Sequence, residues 1–236
     1  MPLIRSLHLA LWGVYALVLA VHIWALLTGA EMIQRSTQPL FAPLLIAALV
    51  TALPRRTRTS TLTLLGLLFA WAGDSLSQLA PENVQLISVL CFLLALVCYA
   101  TALAPLWNRT RDPMRIALAI PYGGVVIGLF VACADGSGPL LPAVAAYAVA
   151  LATMAFLSAG GNGLTWTGGT LFLLSSSMLA MNWFLPGAAI AYSSVWVMAS
   201  YAVGHALLIA GLVRTIPARR WAPACRAGAA LVIVEN

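Results

Sequence analysis

The sequence contains no lysine: all twelve basic residues among its 236 residues are arginine. A Schiff base to retinal or pyridoxal phosphate needs a lysine amine, so that chemistry is excluded. Charged residues of both signs together make up only 8% of the chain, against about 25% in an ordinary soluble domain. Water is therefore not the main solvent of this protein.

Several other signals are also missing. The four cysteines form no CxxC pair and no metal-like cluster, so the sequence implies neither a metal site nor a cofactor. Cys91 and Cys98 lie seven residues apart in one predicted helix and are interpreted as ordinary small core residues. A closed β-barrel would need segments of about ten residues that alternate apolar with polar. The apolar runs here do not alternate, which favours helices.

Long apolar runs are what the sequence has in abundance, since 62% of its residues are hydrophobic. Each run is close to the roughly 20 residues that a helix needs to cross a bilayer. The first is too long for the apolar core of a signal peptide. The sequence predicts an all-α integral membrane protein: a single polytopic domain over 1–236, built as an antiparallel bundle of eight transmembrane helices. The predicted helices are 7–27, 39–53, 61–79, 84–106, 114–134, 140–159, 164–185 and 189–213.

The arginines indicate the orientation of this bundle. If alternate breaks lie on opposite sides, one side holds only Arg35, beside Glu31, Glu82 and Asp135. This bias predicts cytoplasmic termini in a bacterial-type cytoplasmic membrane, with 217–236 as a short cytoplasmic tail. Because the arginines lie in short loops rather than on one soluble face, the net charge of +6 does not indicate nucleic acid. The eleven arginines of the other side are Arg5, Arg55, Arg56, Arg58, Arg109, Arg111, Arg115, Arg214, Arg219, Arg220 and Arg226.

Two ionisable residues lie well inside predicted spans. A charge at membrane depth is costly, so Asp74 in the third helix and His205 in the eighth are candidate functional residues. The alternative for Asp74 is a carboxyl hydrogen-bonded between helices or wetted near the interface. A lone histidine can also bridge two helices through ordinary hydrogen bonds. His22 is interpreted as interfacial, and His8 at the cytoplasmic edge is assigned no role.

Uncharged polar residues accompany these two. The Ser175-Ser176-Ser177 triplet and Asn182 lie in the seventh predicted helix, and Tyr99 lies in the fourth. Serine in membrane helices often serves close packing or bonds back to the helix carbonyls. The triplet by itself therefore predicts no function.

Five segments with recognisable motifs follow one another along the chain: 37–40, 69–74, 92–99, 169–184 and 201–208. Their order over about 37–214 resembles that of the YhhN-like lysoplasmalogenase family of eight-helix membrane proteins. Residues 37–40 resemble its Thr-Lys-Pro-Leu segment, 69–74 its Phe-x-x-x-Gly-Asp, and 92–99 its Phe-x-x-x-His-x-x-Tyr. Pro142, Tyr147 and Met154 follow its Pro-Val-x-x-Tyr segment. Residues 169–184 resemble its Gly-x-x-x-Phe-x-x-Ser-Asp-x-x-Leu-Ala stretch, and 201–208 its Tyr-x-x-Ala-Gln pattern.

The chain also departs from this pattern at four positions. Gln38 replaces the lysine, Leu96 the histidine, Ser176 the second aspartate and His205 the glutamine. The family pattern has two aspartates, and this chain keeps only the first of them, Asp74. Serine can hold a water molecule but cannot carry the negative charge of a carboxylate at ordinary pH.

The resemblance implies hydrolysis of the vinyl ether bond of lysoplasmalogens to a fatty aldehyde and a glycerophospho-alcohol. Asp74 would then be the general acid and His205 a second acid/base group, provided that His205 faces Asp74 across the bundle. The residues expected to line the substrate site are Tyr99, Ser175, Ser176, Asn182 and Tyr201.

Two other functions remain open from the sequence. The protein could be an inactive family member that binds a lysophospholipid or another amphiphile in the same cavity, since a histidine and an aspartate are replaced. A small-solute or proton transporter is the third reading, but it predicts an internal repeat and several embedded ionisable groups. The sequence has no evident repeat and one embedded carboxyl.

Overall fold

The computed structural model of the protein describes residues 2–53, 56–79, 81–110 and 113–216. Three short 3₁₀ turns, Gln38–Leu40, Pro81–Asn83 and Gly138–Leu140, join successive helices. The predicted tail 217–236, with its three arginines, lies outside the described residues, as do Arg55 and Arg111. Within the described ranges the chain forms no strand, and its α-helices are α1 (Pro2–Thr28), α2 (Glu31–Thr37), α3 (Phe41–Ala52), α4 (Arg58–Leu79), α5 (Val84–Thr110), α6 (Pro113–Ser137), α7 (Leu141–Ser158), α8 (Gly163–Phe184) and α9 (Ser193–Thr215).

The all-helical prediction is confirmed for the described residues, and each of the eight predicted runs overlaps a helix. Four stretches are long and apolar enough to cross a membrane: Ser6–Thr28, Val84–Trp107, Ile120–Ser158 and Ser193–Thr215. The 12 residues of α3 span only about 18 Å, less than the roughly 30 Å of hydrocarbon. Eight crossings therefore remain a prediction.

The outer surface of the helices is apolar. Leu17 is 64% exposed, and Val131 and Val149 are each 68% exposed. A soluble protein rarely leaves so much large apolar side chain uncovered, whereas hydrocarbon would solvate it. The long apolar stretches and this surface together indicate a membrane protein.

The helix bounds differ from the predicted ones in several places, and two of these differences change the course of the chain. Residues 31–37 form the short helix α2, which lies between the first two predicted helices. At the other end of the chain, α9 begins at Ser193 rather than at 189, because Pro186 and Gly187 end the preceding helix and Tyr192 has a left-handed backbone with φ of 54°. A left-handed residue cannot lie inside a right-handed helix, so Tyr192 marks the turn into α9.

Helices α8 and α9 pack closely because glycines face each other between them. A Cβ atom at Gly168 would overlap the backbone of Leu208, and one at Gly204 would lie 2.9 Å from Cβ of Leu171. The first turn of α8 is held by Asn162, whose side-chain oxygen accepts 3.0 Å hydrogen bonds from the backbone N–H groups of residues 164 and 165. Its amide also donates to the carbonyl oxygen of Gly211 at 2.9 Å, which ties the start of α8 to α9.

The core lies between α3, α4, α5, α7, α8 and α9. Its fully buried large side chains include Phe41, Tyr99, Met154 and Phe172. Tyr15 of α1 donates a 2.8 Å hydrogen bond to the carbonyl oxygen of Ala202, so α1 is also tied to α9. Asp74 of α4 lies beside the 3₁₀ turn that follows α2, because this turn contacts α4.

Candidate active site

Asp74 is the centre of the candidate site. It lies on α4 with only 3% of its surface exposed. Its Oδ1 atom accepts a 3.0 Å hydrogen bond from the side-chain amide of Gln38, and its Oδ2 atom accepts a 2.8 Å hydrogen bond from the hydroxyl of Tyr201. Both oxygens are thus held by neutral donors from two other parts of the chain.

The local sequence explains how Gln38 reaches Asp74. Gln38 begins the 3₁₀ turn between α2 and α3, and the next residue is a proline, which has no backbone N–H and favours the first turn of a helix. The turn therefore redirects the chain from α2 into α3. On α4, Gly73 precedes Asp74 and leaves room for the ring of Phe92, which would lie 2.9 Å from a Cβ atom at that position.

A cavity of about 360 Å³ opens beside this carboxyl. Its polar wall includes Arg35, Gln38, Asp74, Gln78 and Ser88. A cavity with a mainly apolar wall and a few convergent polar groups is the usual form of a small-molecule site. The remaining lining residues are Gly73, Val84, Phe92, Tyr147, Phe172, Ser175, Ser176, Leu179, Trp183, Val197, Met198 and Tyr201.

The two serines predicted to line the substrate site do line this cavity. The hydroxyl of Ser176 lies 3.0 Å from the hydroxyl of Tyr147 on α7, and either atom can be the donor. The hydroxyl of Ser175 instead donates to the carbonyl oxygen of Val197 at 2.8 Å. Ser175 therefore joins α8 to α9, while Ser176 and Tyr147 present a pair of hydroxyls to the cavity.

His205 lies behind the cavity wall rather than on it. It is 1% exposed, and its Nε2 atom lies 2.6 Å from the hydroxyl of the fully buried Tyr99. The rings of His205 and Tyr201 have centroids 5.3 Å apart. Tyr201 thus stands next to both Asp74 and His205. Among the described residues, the carboxyl of Asp74 forms hydrogen bonds with Gln38 and Tyr201 rather than with His205.

Asn182 lies outside the main cavity, in an adjoining one that we call the vestibule. The vestibule is lined by His22, Gln34, Asn182, Ser193 and Ser194, among others, and Gln38 lines both cavities. His22 was interpreted as interfacial, but it is 1% exposed, and its Nδ1 atom lies 2.7 Å from the hydroxyl of Thr37. That hydroxyl donates to the carbonyl oxygen of Ile33 at 2.6 Å, so it accepts its bond from His22.

Gln38 and Arg35 are among the residues of the site that had no role assigned from the sequence. Gln38 was noted only as a departure from a family motif, yet it holds Asp74. Arg35 was noted only as the one arginine on its side of the predicted membrane, yet it lines the cavity. The sequence did contain a signal for Arg35, because the charge bias that explains the positions of the other arginines does not explain this one.

The arrangement can supply acid/base chemistry to an amphiphilic ligand. A carboxyl can donate a proton and later accept one, and the hydroxyls of Ser176 and Tyr147 can hold a water molecule. The apolar part of the wall, with Phe92, Phe172 and Leu179, suits a hydrocarbon chain.

These features define a helical membrane protein with a buried carboxyl beside a cavity of mainly apolar wall. The chain belongs to the YhhN family, whose sequence pattern it matches over residues 33–212. This range includes all the residues predicted from the sequence to form the site. No curated protein and no solved structure matches the chain in the corresponding comparisons.

Proposed function

We propose that this protein is a membrane-embedded lipid hydrolase of the lysoplasmalogenase type. It would cleave the vinyl ether bond of a lysoplasmalogen to a fatty aldehyde and a glycerophospho-alcohol. The observation that carries this proposal is the position of Asp74: it is the one acidic residue among the described residues that line the cavity, and it belongs to the motif at 69–74. Membership of the YhhN family supports the same activity.

The reaction begins with protonation. The carboxyl of Asp74 donates its proton to the β-carbon of the vinyl ether, and the electron pair of the C=C bond forms the new C–H bond. The product is an oxocarbenium ion, in which the positive charge is shared between the α-carbon and the ether oxygen. Asp74, now a carboxylate, stabilises this ion through its negative charge.

Water completes the reaction. A water molecule held by Ser176 and Tyr147 attacks the α-carbon and returns a proton to Asp74, which gives a hemiacetal. The hemiacetal then loses the glycerophospho-alcohol as its leaving group and forms the aldehyde. Since one proton is donated and one is returned, a single carboxyl can turn over, whereas paired carboxylates divide these roles between two residues.

His205 and Tyr99 have a different role in this proposal from the one expected from the sequence. Their mutual hydrogen bond and burial favour a positioning role behind Tyr201. Tyr201 in turn orients the carboxyl of Asp74 through its hydroxyl. Asn182 would contact a ligand only in the vestibule.

The topology is part of the proposal. We infer eight crossings with both termini in the cytoplasm, because the arginine distribution follows the alternation of the breaks between the eight runs. With this orientation, α2 and the mouth of the cavity near Arg35 face the outer side of the membrane.

A second function is favoured by one observation. Ser176 stands where the family motif has an aspartate, and it is paired with a neutral tyrosine hydroxyl. A site with a single carboxyl could bind a lysolipid without cleaving it. The two functions differ in whether a proton donor is needed.

The test is aldehyde release from a lysoplasmalogen by the purified protein in detergent. The wild type should release aldehyde, and Asp74→Asn should reduce the rate by at least about a hundredfold while retaining lipid binding. Asp135→Asn, an exposed aspartate at the end of α6, is the matched control and should keep the wild-type rate. A folded wild type that binds lysolipid and releases no aldehyde would favour the binding function.

A further inference from the structure

Arg35 gives the cavity a positively charged end. It lies in the last turn of α2, its side chain is exposed, and it lines the cavity that contains Asp74. Among the described lining residues it is the only cation. Gln38, which holds Asp74, follows it by three residues, or about one helical turn.

The carboxyl of Asp74 does not need Arg35 as a partner. Its two oxygens accept hydrogen bonds from Gln38 and Tyr201, both of which are neutral. The guanidinium of Arg35 has five N–H donors and lines the cavity, so a ligand in the cavity can accept hydrogen bonds from it. A planar guanidinium matches a phosphate group with two parallel hydrogen bonds.

The charge distribution of the chain also sets Arg35 apart. In the topology predicted from the sequence, the other eleven arginines belong to the opposite side of the membrane and set the orientation of the bundle. An arginine on the outer side opposes that bias. Its place on the wall of the cavity offers a reason for its presence.

The cavity has an apolar extension away from Arg35. A narrow slot of about 40 Å³ lies between α5, α7 and α8, and its wall is almost entirely apolar. It shares six lining residues with the main cavity, among them Phe92, Tyr147 and Ser176. Neither Arg35 nor Asp74 lines this slot. The residues that line the slot but not the main cavity are Val89, Val144, Ala180 and Phe184.

We infer that Arg35 binds the phosphate of a lysolipid head group, while the hydrocarbon chain of the lipid extends toward the slot. This inference rests on the proposed function and adds the orientation of the substrate. In a lysoplasmalogen the vinyl ether lies between the phosphate-bearing glycerol and the hydrocarbon chain. The orientation therefore brings the reacting carbons to the part of the cavity beside Asp74.

The test compares two substrates with the same alkenyl chain: 1-alkenyl-glycerophosphoethanolamine and 1-alkenyl-glycerol, which lacks the phosphate. Both are assayed in a detergent without phosphate, so that no bulk lipid competes. Arg35→Gln should lower kcat/KM for the phosphate-containing substrate by about tenfold to a hundredfold, as expected for the loss of a charge-assisted hydrogen bond. It should leave kcat/KM for 1-alkenyl-glycerol within about twofold of the wild type.

Two further variants complete this test. Arg35→Lys keeps the positive charge but not the planar guanidinium group. It should lower kcat/KM for the phosphate-containing substrate less than Arg35→Gln does. Arg214→Gln is the matched control, because Arg214 is exposed in the last turn of α9 and does not line the cavity. Arg214→Gln should leave kcat/KM unchanged for both substrates.

The outcomes separate this inference from the proposed function. In one outcome, the wild type cleaves both substrates and Asp74→Asn cleaves neither, which supports the proposed hydrolase. If Arg35→Gln then lowers kcat/KM equally for both substrates, or for neither of them, the head-group inference is wrong. If the wild type cleaves neither, displacement of a fluorescent lipid by lysophosphatidylethanolamine and by monoacylglycerol replaces turnover as the readout. The inference would then be supported if Arg35→Gln weakened the binding of lysophosphatidylethanolamine but not that of monoacylglycerol. It would be overturned if the variant bound the two lipids with the same affinities as the wild type, or if the wild type bound neither.

Discussion

Tyr201 on α9 donates a 2.8 Å hydrogen bond to Oδ2 of Asp74 on α4, although 127 residues separate them in the chain. This bond links the candidate proton donor to the helix that packs closest to the serine-bearing α8. It also keeps the carboxyl at a fixed angle to the cavity. The site therefore depends on the packing of α9 as much as on α4.

The first prediction concerns this bond. Tyr201→Phe removes only the hydroxyl, so the ring packing with Phe172 and His205 is kept while Asp74 loses one donor. We expect the rate of aldehyde release to fall about tenfold and the free energy of unfolding to fall by about 1–3 kcal/mol. Initial rates and thermal unfolding in detergent measure both effects.

Tyr192→Phe is the control for Tyr201→Phe. Tyr192 is 72% exposed in the turn before α9 and does not line the main cavity. Removing the hydroxyl of Tyr192 should alter neither the rate of aldehyde release nor the free energy of unfolding. Equal effects at both positions would contradict the orienting role of Tyr201.

The second prediction separates positioning from catalysis at His205. His205→Ala removes the partner of the buried Tyr99 hydroxyl and leaves a cavity in the core. We expect the free energy of unfolding to fall by about 2–5 kcal/mol, with kcat per folded molecule within about threefold of the wild type. A folded variant with unchanged stability and a rate reduced by more than about a hundredfold would identify His205 as an acid/base group instead.

The third prediction restores the second carboxylate. Ser176→Asp places a carboxylate on the cavity wall beside Tyr147, where it could stabilise the oxocarbenium ion and take the proton from water. We expect kcat to rise by about tenfold or more and stability to fall, because a second buried carboxyl is costly. Ser176→Asn has nearly the same shape without the charge and should not raise kcat; a similar rise with asparagine would show that charge is not the cause.

The fourth prediction concerns the contact between α8 and α9. Gly168→Leu introduces a side chain where a Cβ atom already overlaps the backbone of Leu208, so the helices must separate. We expect a loss of about 3 kcal/mol or more of stability and loss of activity. Gly124→Leu on α6, where nothing lies within 4 Å of the added Cβ, should be tolerated. Size-exclusion profiles and melting temperatures in detergent compare the two.

The sequence predicted the helices well because their signal is local. Apolar length and the breaks at Pro81 and Pro186 are read directly from neighbouring residues. The short helix α2 was missed because it is polar and only seven residues long, so no apolar run marks it. Four stretches meet the length and hydropathy expected of spans, and eight crossings still await a topology experiment.

The sequence predicted part of the site, but it did not predict which way the side chains on each helix point. Asp74, Ser176 and Tyr201 were expected and line one cavity. A second acid/base role was predicted for His205 on the condition that it faces Asp74. Residues one turn apart on α9 contact different neighbours, however: Tyr201 contacts Asp74, and His205 contacts Tyr99. Which face of a helix meets which partner depends on packing between distant segments, and periodicity within α9 does not determine it.

The measurement that tests the central claim most directly is the isotopic composition of the aldehyde released in D₂O. Protonation of the vinyl ether β-carbon by Asp74, whose carboxyl exchanges with solvent, predicts one deuterium on the carbon next to the aldehyde group. The product should be trapped at once to prevent later exchange and then analysed by mass spectrometry. Deuterated aldehyde from the wild type and none from Asp74→Asn is the predicted result; undeuterated aldehyde, or an equal yield from Asp74→Asn, would contradict it.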